Sequence, residues 1–451
     1  MTNIQDSVVY HVYPIGLLGA ERKNSFQMEP TNRIKDLYSW LDHMQDLGCD
    51  ILYIGPVFES TSHGYDTADY FRIDRRLGSN RNFKDFVERA HKRNIKVVLD
   101  GVFNHVGRNF WAFKDVLKKE SSSAYKYWFS GLDFSKGNPM GDSFTYNAWH
   151  GHYQLVELDL LNEEVQEHLL EAVKFWIRYF NIDGLRLDTA DILDFNFMQE
   201  LNRVCKGLNP EFWLMGEVVQ GDYNRWIKEA KLDSVTNYEF HGPFFESFNK
   251  RSFKFIEKIL SDQFGMYGRY IDLELYSFVD NHDVQRSYTS IHHKEHLNLL
   301  YFLLFTLPGI PSIYYGSEYG YSGKKTGHID DELRPAIRYR NRFEKAHKPD
   351  LFNWIKKLIS IRRKQIALRK GNYRTILVSG EQFVYVRKFR EENLIMALNM
   401  ASCAAKVSVK INLGKGVLID LLDADFQKNV DSDTVFIEIP PEKGRILQLS
   451  S

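Results

Sequence analysis

Cysteine is scarce. Cys49, Cys205 and Cys403 are the only three in 451 residues. They are odd in number, far apart and without any Cys-x-x-Cys spacing, so neither a disulfide framework nor a zinc site is expected, and a reducing interior fits. An excess of either charge is also missing. Lys and Arg number 59 against 59 Asp and Glu, which excludes the basic footprint of a nucleic-acid binder, and no charge block reads as an interaction tail. The N-terminal Met-Thr-Asn-Ile-Gln-Asp-Ser has no charged segment followed by an apolar one, so no signal peptide is expected and the cytoplasm is the expected location. One greasy run, Leu299 to Tyr315, is broken by Pro308, Gly309 and Pro311. Its pieces are too short to span a bilayer, and a buried helix, a turn and a buried strand are expected, with no membrane partner. Internal repeats and low-complexity segments are absent.

The residues present in excess are aromatic: 25 Tyr, 32 Phe and 8 Trp. Aromatic faces stack on sugar rings and on bases alike, and a chain without net charge suits the sugar better.

Short apolar runs followed by amphipathic helical stretches recur along the chain: Val8 to Ile15, Ile51 to Phe58, Lys96 to Phe103, Gly184 to Ala190, Phe212 to Val219, Ser234 to Phe240, Leu275 to Val279 and Pro311 to Tyr315. Eight such units predict an α/β fold, a closed (β/α)8 barrel, with an open doubly wound sheet as the alternative. A βα unit takes roughly 30 residues, yet the third and fourth strand ends, Asp100 and Asp188, stand nearly three times that far apart. The surplus, where helical periodicity fails and Gly, Ser, Asn and aromatics crowd in, predicts an irregular insertion over 106–151. The barrel then comprises 1–105 and 152–372. Helical pattern continues over Leu351 to Lys364, and short alternating runs from about Tyr373 predict a C-terminal antiparallel β domain over 373–451.

Arg186 and Asp188 are two apart on a predicted strand, so they face the same side. Alone, they read as a structural ion pair. Reactive side chains of a barrel gather at the C-terminal strand ends, and other strand ends carry comparable groups: Asp100 to His105 on the third, Glu217 on the fifth, His282 and Asp283 on the seventh. Taken together they suit cleavage of an acetal. One carboxylate attacks the anomeric carbon and a second protonates the leaving oxygen. A metal site is the rival use of such residues, but compact ligand spacings are missing, so no metal or other cofactor is expected.

Asp100-Gly-Val-Phe-Asn-His105, Gly184-Leu-Arg-Leu-Asp188, Gly216-Glu217 and Phe278-Val-Asp-Asn-His-Asp283 resemble, in order and spacing, the four signature regions of the α-amylase family of glycoside hydrolases (glycoside hydrolase family 13), of the intracellular maltodextrin-acting type. Tyr10-His-Val-Tyr-Pro14, His63-Gly-Tyr-Asp-Thr-Ala-Asp-Tyr70 and Pro308-Gly-Ile-Pro-Ser-Ile-Tyr-Tyr-Gly316 resemble the family's first strand, second βα loop and eighth strand. The resemblance implies Asp188 as nucleophile, Glu217 as general acid/base and Asp283 as the carboxylate that stabilises the transition state. It implies that Arg186 holds Asp188 ionised, that His105 and His282 hydrogen-bond the sugar and that Tyr65 stacks under it. Asp100 and Asn104 are expected to brace the arginine and the loop.

Departures narrow the expectation. Asp191 and Ile192 follow Ala190 where calcium-dependent members have Lys-His, and Gly16 to Thr31 lacks an Asp-x-Asn-x-Asp spacing, so calcium is possible but not indicated. Ser62 stands where exo-acting glucosidases often have an acidic residue, and Thr189 leans toward α-1,4 bonds. The implied activity is retaining hydrolysis of α-1,4-glucosidic bonds in maltooligosaccharides or maltodextrins, with α-glucan oligosaccharides, cyclodextrins among them, as the partner. An α-glucosidase, an α-1,6-active hydrolase, a transglycosylase or trehalose-forming enzyme, and a non-catalytic transporter-associated homologue stay open.

Overall fold

The protein is described from a computed structural model covering residues 4–326, 330–411 and 415–450. Eight short strands form one parallel sheet: β1 (Val9–Val12), β2 (Ile51–Ile54), β3 (Lys96–Gly101), β4 (Gly184–Leu187), β5 (Trp213–Gly216), β6 (Ser234–Val235), β7 (Tyr276–Phe278) and β8 (Ile310–Tyr314). Their order is β6-β5-β4-β3-β2-β1-β8-β7. A parallel bridge between Thr236 and Tyr276 brings the two ends of this order together, and the result is the expected barrel.

Alternation along the strands sorts side chains into two layers. Val9, Ile51, Tyr53, Val98, Trp213, Met215, Tyr276, Phe278 and Ile310 pack with one another as one buried cluster. The intervening residues, among them Tyr10, Leu52, Ile54, Val97, Leu99, Leu185 and Leu214, join the larger cluster shared with the helices. By this parity Asp100, Arg186, Asp188 and Glu217 continue the rows of Val98, Gly184 and Met215 inward.

The helix entering β4 starts where its cap predicts. Asn162 accepts from the backbone N–H groups of Glu164 and Val165, the helix runs Glu163–Phe175, and a π-turn over Trp176–Phe180 ends at Asn181, φ 60°. The greasy run resolves into the helix Leu297–Thr306 and strand β8, and no helix among the described residues is long and apolar enough to cross a membrane. One expectation is corrected. The stretch expected to lack helical pattern contains a nine-residue helix, Trp111–Lys119, whose Ala112, Phe113 and Val116 are buried. Its apolar spacing was masked by the flanking aromatics.

The C-terminal strands are β9 (Asn372–Ser379), β10 (Gln382–Phe389), β11 (Glu392–Asn399), β12 (Ala405–Lys410), β13 (Gly416–Asp420), β14 (Asp423–Val430), β15 (Thr434–Ile439) and β16 (Lys443–Ser450). They form an antiparallel sheet ordered β9-β10-β11-β16-β13-β14 and a separate β12–β15 pair. One buried arginine, Arg387 on β10, ties this sheet to the barrel, and a second, Arg362 on the helix Leu351–Lys364, braces the barrel beside it. Arg362 donates to the carbonyls of Phe305, Leu307 and Gly309, and Arg387 donates to those of Thr306 and Gly371. The carbonyls that the helix Leu297–Thr306 leaves unpaired at its end thereby find donors.

Candidate active site

Strand register decides what meets what. Asp100 on β3 pairs in register with Arg186 on β4, and Leu187 with Gly216 on β5, so the inward residues one step further, Asp188 and Glu217, are neighbours. Arg186 joins them. Its Nη1 lies 2.7 Å from both Asp100 Oδ1 and Asp188 Oδ1, and its Nη2 lies 2.6 Å from Glu217 Oε1. Asp100 is braced further by the hydroxyls of Tyr53 at 2.9 Å and Tyr65 at 3.0 Å.

Glu217 is held at both oxygens. Tyr238 donates its hydroxyl to Oε1 at 3.2 Å, and the Thr189 backbone N–H donates to Oε2 at 3.0 Å. Asp283 sits in the loop after β7, where Asn281 Oδ1 accepts from the N–H groups of Asp283 and Val284 and so shapes the turn. The Asp283 carboxylate meets His282 Nε2 at 2.9 Å and Arg334 Nη2 at 2.8 Å. His282 Nε2 also meets the Tyr65 hydroxyl. The Tyr65 ring is half-buried and lies parallel to His282 at 5.6 Å.

His105 is buried, with Nδ1 beside the Asn104 side-chain amide at 3.3 Å and Nε2 without a protein partner. Burial, with His63 adding to it, pushes its imidazole down to about 3, so the ring is neutral. Asn104 also accepts from the Leu158 N–H at 3.0 Å, anchoring the loop.

The electrostatics set the carboxyls apart. Burial pushes the Asp188 carboxyl well above its ordinary range, Glu217 and Asp100 push the same way, and Arg186 opposes them without prevailing. One guanidinium is divided among three carboxylates, so Arg186 offsets the burial of Asp188 only in part. Asp283 goes the other way. Burial would raise it, but His282, Arg334 and Arg186 together hold it well below the usual carboxylate range.

Three further residues complete the site without having stood out in the sequence. Arg334 reaches Asp283 from the long segment after β8, donates from Nε to the His282 carbonyl at 3.1 Å and lies over the Tyr13 ring at 4.7 Å. Trp149, from the irregular stretch after β3, stands 5.7 Å from His105. Tyr238 follows β6 and also accepts from the Asn281 amide at 3.1 Å. Arg334 and Trp149 come from stretches that neither periodicity nor a strand end marks, and Tyr238 lies within the sixth predicted run but beyond the two-residue strand β6. The aromatic surplus was the one available signal, and only for Trp149 and Tyr238.

A parallel barrel with carboxylates, imidazoles and an arginine converging at the C-terminal strand ends is the architecture of a hydrolase that works on an acetal. Residues 27–345 match the family described as alpha amylase, catalytic domain. The cyclomaltodextrinase of Thermoanaerobacter pseudethanolicus (strain ATCC 33223 / 39E) is 31% identical over 416 residues, which cover 88% of this chain and 70% of that protein. The intracellular maltogenic amylase of Bacillus subtilis is 29% identical over 380 residues, 82% of this chain and 62% of that protein. A solved structure of a cyclomaltodextrinase superposes with a TM-score of 0.86 at 28% identity, covering 99% of this chain and 78% of that one. The chain belongs to the α-amylase family of glycoside hydrolases.

Proposed function

We propose that this enzyme hydrolyses α-1,4-glucosidic bonds of maltooligosaccharides, maltodextrins and cyclodextrins with retention of configuration, using Asp188 as nucleophile, Glu217 as acid/base and Asp283 as the third carboxylate. The observation that carries this reading is the bridging of Asp188 and Glu217 by one guanidinium. It keeps two carboxyls on adjacent strands side by side, as a double displacement requires. In the first step Glu217 gives a proton to the leaving oxygen while Asp188 attacks the anomeric carbon. Formation of the ester removes the Asp188 charge, and Glu217 then takes a proton from the incoming water. Asp283, kept ionised by His282 and Arg334, adds its field at the oxocarbenium-like centre and accepts from sugar hydroxyls. His105, neutral and with Nε2 unengaged, hydrogen-bonds the same sugar, and Tyr65 stacks beneath it.

The names of the relatives support cyclic and linear α-glucans as substrates. The dispersed cysteines and the relative named intracellular support a cytoplasmic setting. A fluorinated α-glucosyl donor should label Asp188, and Asp188→Asn and Glu217→Gln should abolish hydrolysis while leaving the melting temperature near wild type. Activity within about tenfold of wild type, about 1.4 kcal/mol of barrier, in either variant would overturn these roles. Product analysis on a cyclodextrin, maltotetraose and an α-1,6-linked glucan decides the bond preference.

A further inference from the structure

Away from the catalytic carboxylates, a second cluster of titratable groups lies where the C-terminal strands meet the outside of the barrel. It is built from two distant parts of the chain. Glu295 and His296 belong to the 3₁₀ turn Lys294–His296 that leads into the helix Leu297–Thr306, and Glu442 lies in the turn between β15 and β16. One ligand atom from each of the three lies within 4.8 Å of the other two.

His296 is what distinguishes this cluster from a chance meeting of acids. It is wholly buried, its Nε2 lies 3.0 Å from the Met400 carbonyl, and its Nδ1 is buried without a hydrogen-bond partner. A carbonyl only accepts, so Nε2 carries the hydrogen and the ring's lone pair is on Nδ1. Leaving such an acceptor buried and unmade is costly. An imidazole whose other nitrogen donates to a backbone carbonyl is also the form in which histidines are held ready as metal ligands.

The backbone that carries Glu442 is held in place. Glu442 has φ 53°, a left-handed conformation uncommon for a residue other than glycine, and its N–H donates to the Ala401 carbonyl at 3.1 Å, next to Met400. Arg251 also donates to the Met400 carbonyl, at 3.3 Å. The turn holding Glu442 and the acceptor that orients His296 are thus fixed to each other. Glu295 has a competing neighbour, His293, whose Nδ1 lies 3.3 Å from Glu295 Oε1.

We propose that Glu295, His296 and Glu442 form a binding site for a divalent transition-metal ion that clamps the C-terminal β structure to the barrel. One imidazole and two carboxylates suit zinc and its neighbours, whereas magnesium and calcium prefer oxygen alone. Water fills the remaining positions.

The test uses the full-length enzyme with Zn2+ as probe and Ca2+ as comparator. Equilibrium dialysis should give one Zn2+ per chain that Glu442→Gln weakens by at least about tenfold, and saturating Zn2+ should raise the melting temperature of wild type but not of Glu442→Gln. His296→Gln, which keeps a donor for Met400 and removes the lone pair, should behave like Glu442→Gln. Should His296→Gln fail to fold, the Glu442 variant, in a turn reachable by solvent, still decides. Zn2+ held by the catalytic carboxylates would survive Glu442→Gln. Equal affinity in that variant, no bound Zn2+ at all, or Ca2+ bound in preference would each overturn the proposal.

Discussion

Thr189 points its backbone N–H at Glu217 Oε2, 3.0 Å away, from a left-handed conformation with φ 46°. A β-branched residue there is strained, and the strained residue immediately follows the proposed nucleophile while holding the proposed acid/base. Glycine would relieve about 1 kcal/mol of that strain and keep the N–H. Thr189→Gly is therefore expected to melt at or slightly above wild type and to retain activity within about tenfold. A lower melting temperature by calorimetry would show that the Thr189 side chain, rather than its backbone, maintains the turn.

His105 gives a pH-dependence of stability with a definite sign. Its imidazole is lowered to about 3 in the fold against about 6.5 unfolded, so the unfolded chain binds a proton that the folded one refuses. Stability attributable to the neutral ring is complete above about pH 6.5 and is lost as pH falls from there toward 3. Between pH 6.5 and 5 the loss is about 2 kcal/mol at 1.36 kcal/mol per unit. The unfolding free energy from urea titration should fall between these two pH values by about that amount more in wild type than in His105→Asn, and an equal fall in both would contradict it.

Much of the site was legible because strand parity is a local rule. Arg186 and Asp188 are two apart on β4, Asp100 and Glu217 end the strands on either side of it, and register did the rest. Arg334 was not legible, since its contact with Asp283 crosses from a long segment that obeys no period. The shared demand on Arg186 was also hidden, because sequence shows which residues are adjacent on a strand but not that three carboxylates from three strands converge on one cation. The cluster of Glu295, His296 and Glu442 lacks compact spacing altogether, which is why a search for ligand spacings passed over it.

Arg387 and Arg362 are fully buried and bonded chiefly to carbonyls, and burial, with mutual repulsion adding at Arg362, lowers them to about 10 and about 9. Arg387→Met would leave the Thr306 and Gly371 carbonyls without donors, at roughly 1–3 kcal/mol each, partly offset by relief of Arg362. A net loss of roughly 2–3 kcal/mol in denaturant unfolding is expected, with kcat unaffected because the contact lies at the far end of the helix Leu297–Thr306. A stabilised variant would mean that the repulsion outweighs the bonds.

The stereochemical outcome follows from the adjacency of Asp188 and Glu217. Carboxyls roughly 5 to 5.5 Å apart leave no room for a water between nucleophile and sugar, so the side chain attacks first. Two inversions then release the α-anomer. NMR in the first minutes of reaction, before mutarotation, checks it, and β-anomer as the first product would require a water as attacker.

The barrel wall is not uniformly stitched. Ladders join each neighbouring pair of strands except β6 and β7, which are spanned by the Thr236 to Tyr276 bridge and by the Asn237 N–H donating to the Tyr276 carbonyl at 2.8 Å. Glu217 ends β5, the strand next to β6, and Asp283 follows β7, so the two lie on opposite sides of that seam, which the Tyr238 hydroxyl spans by donating to Glu217 and accepting from the Asn281 amide. A sleeve slit along one line yields across the slit while its far wall stays stiff. Asp188 and Glu217 follow strands joined by a full ladder, whereas Asp283 lies across the bridged line from both. Any opening of the barrel along that line would therefore widen the gap to Asp283 before it changed the spacing of Asp188 and Glu217.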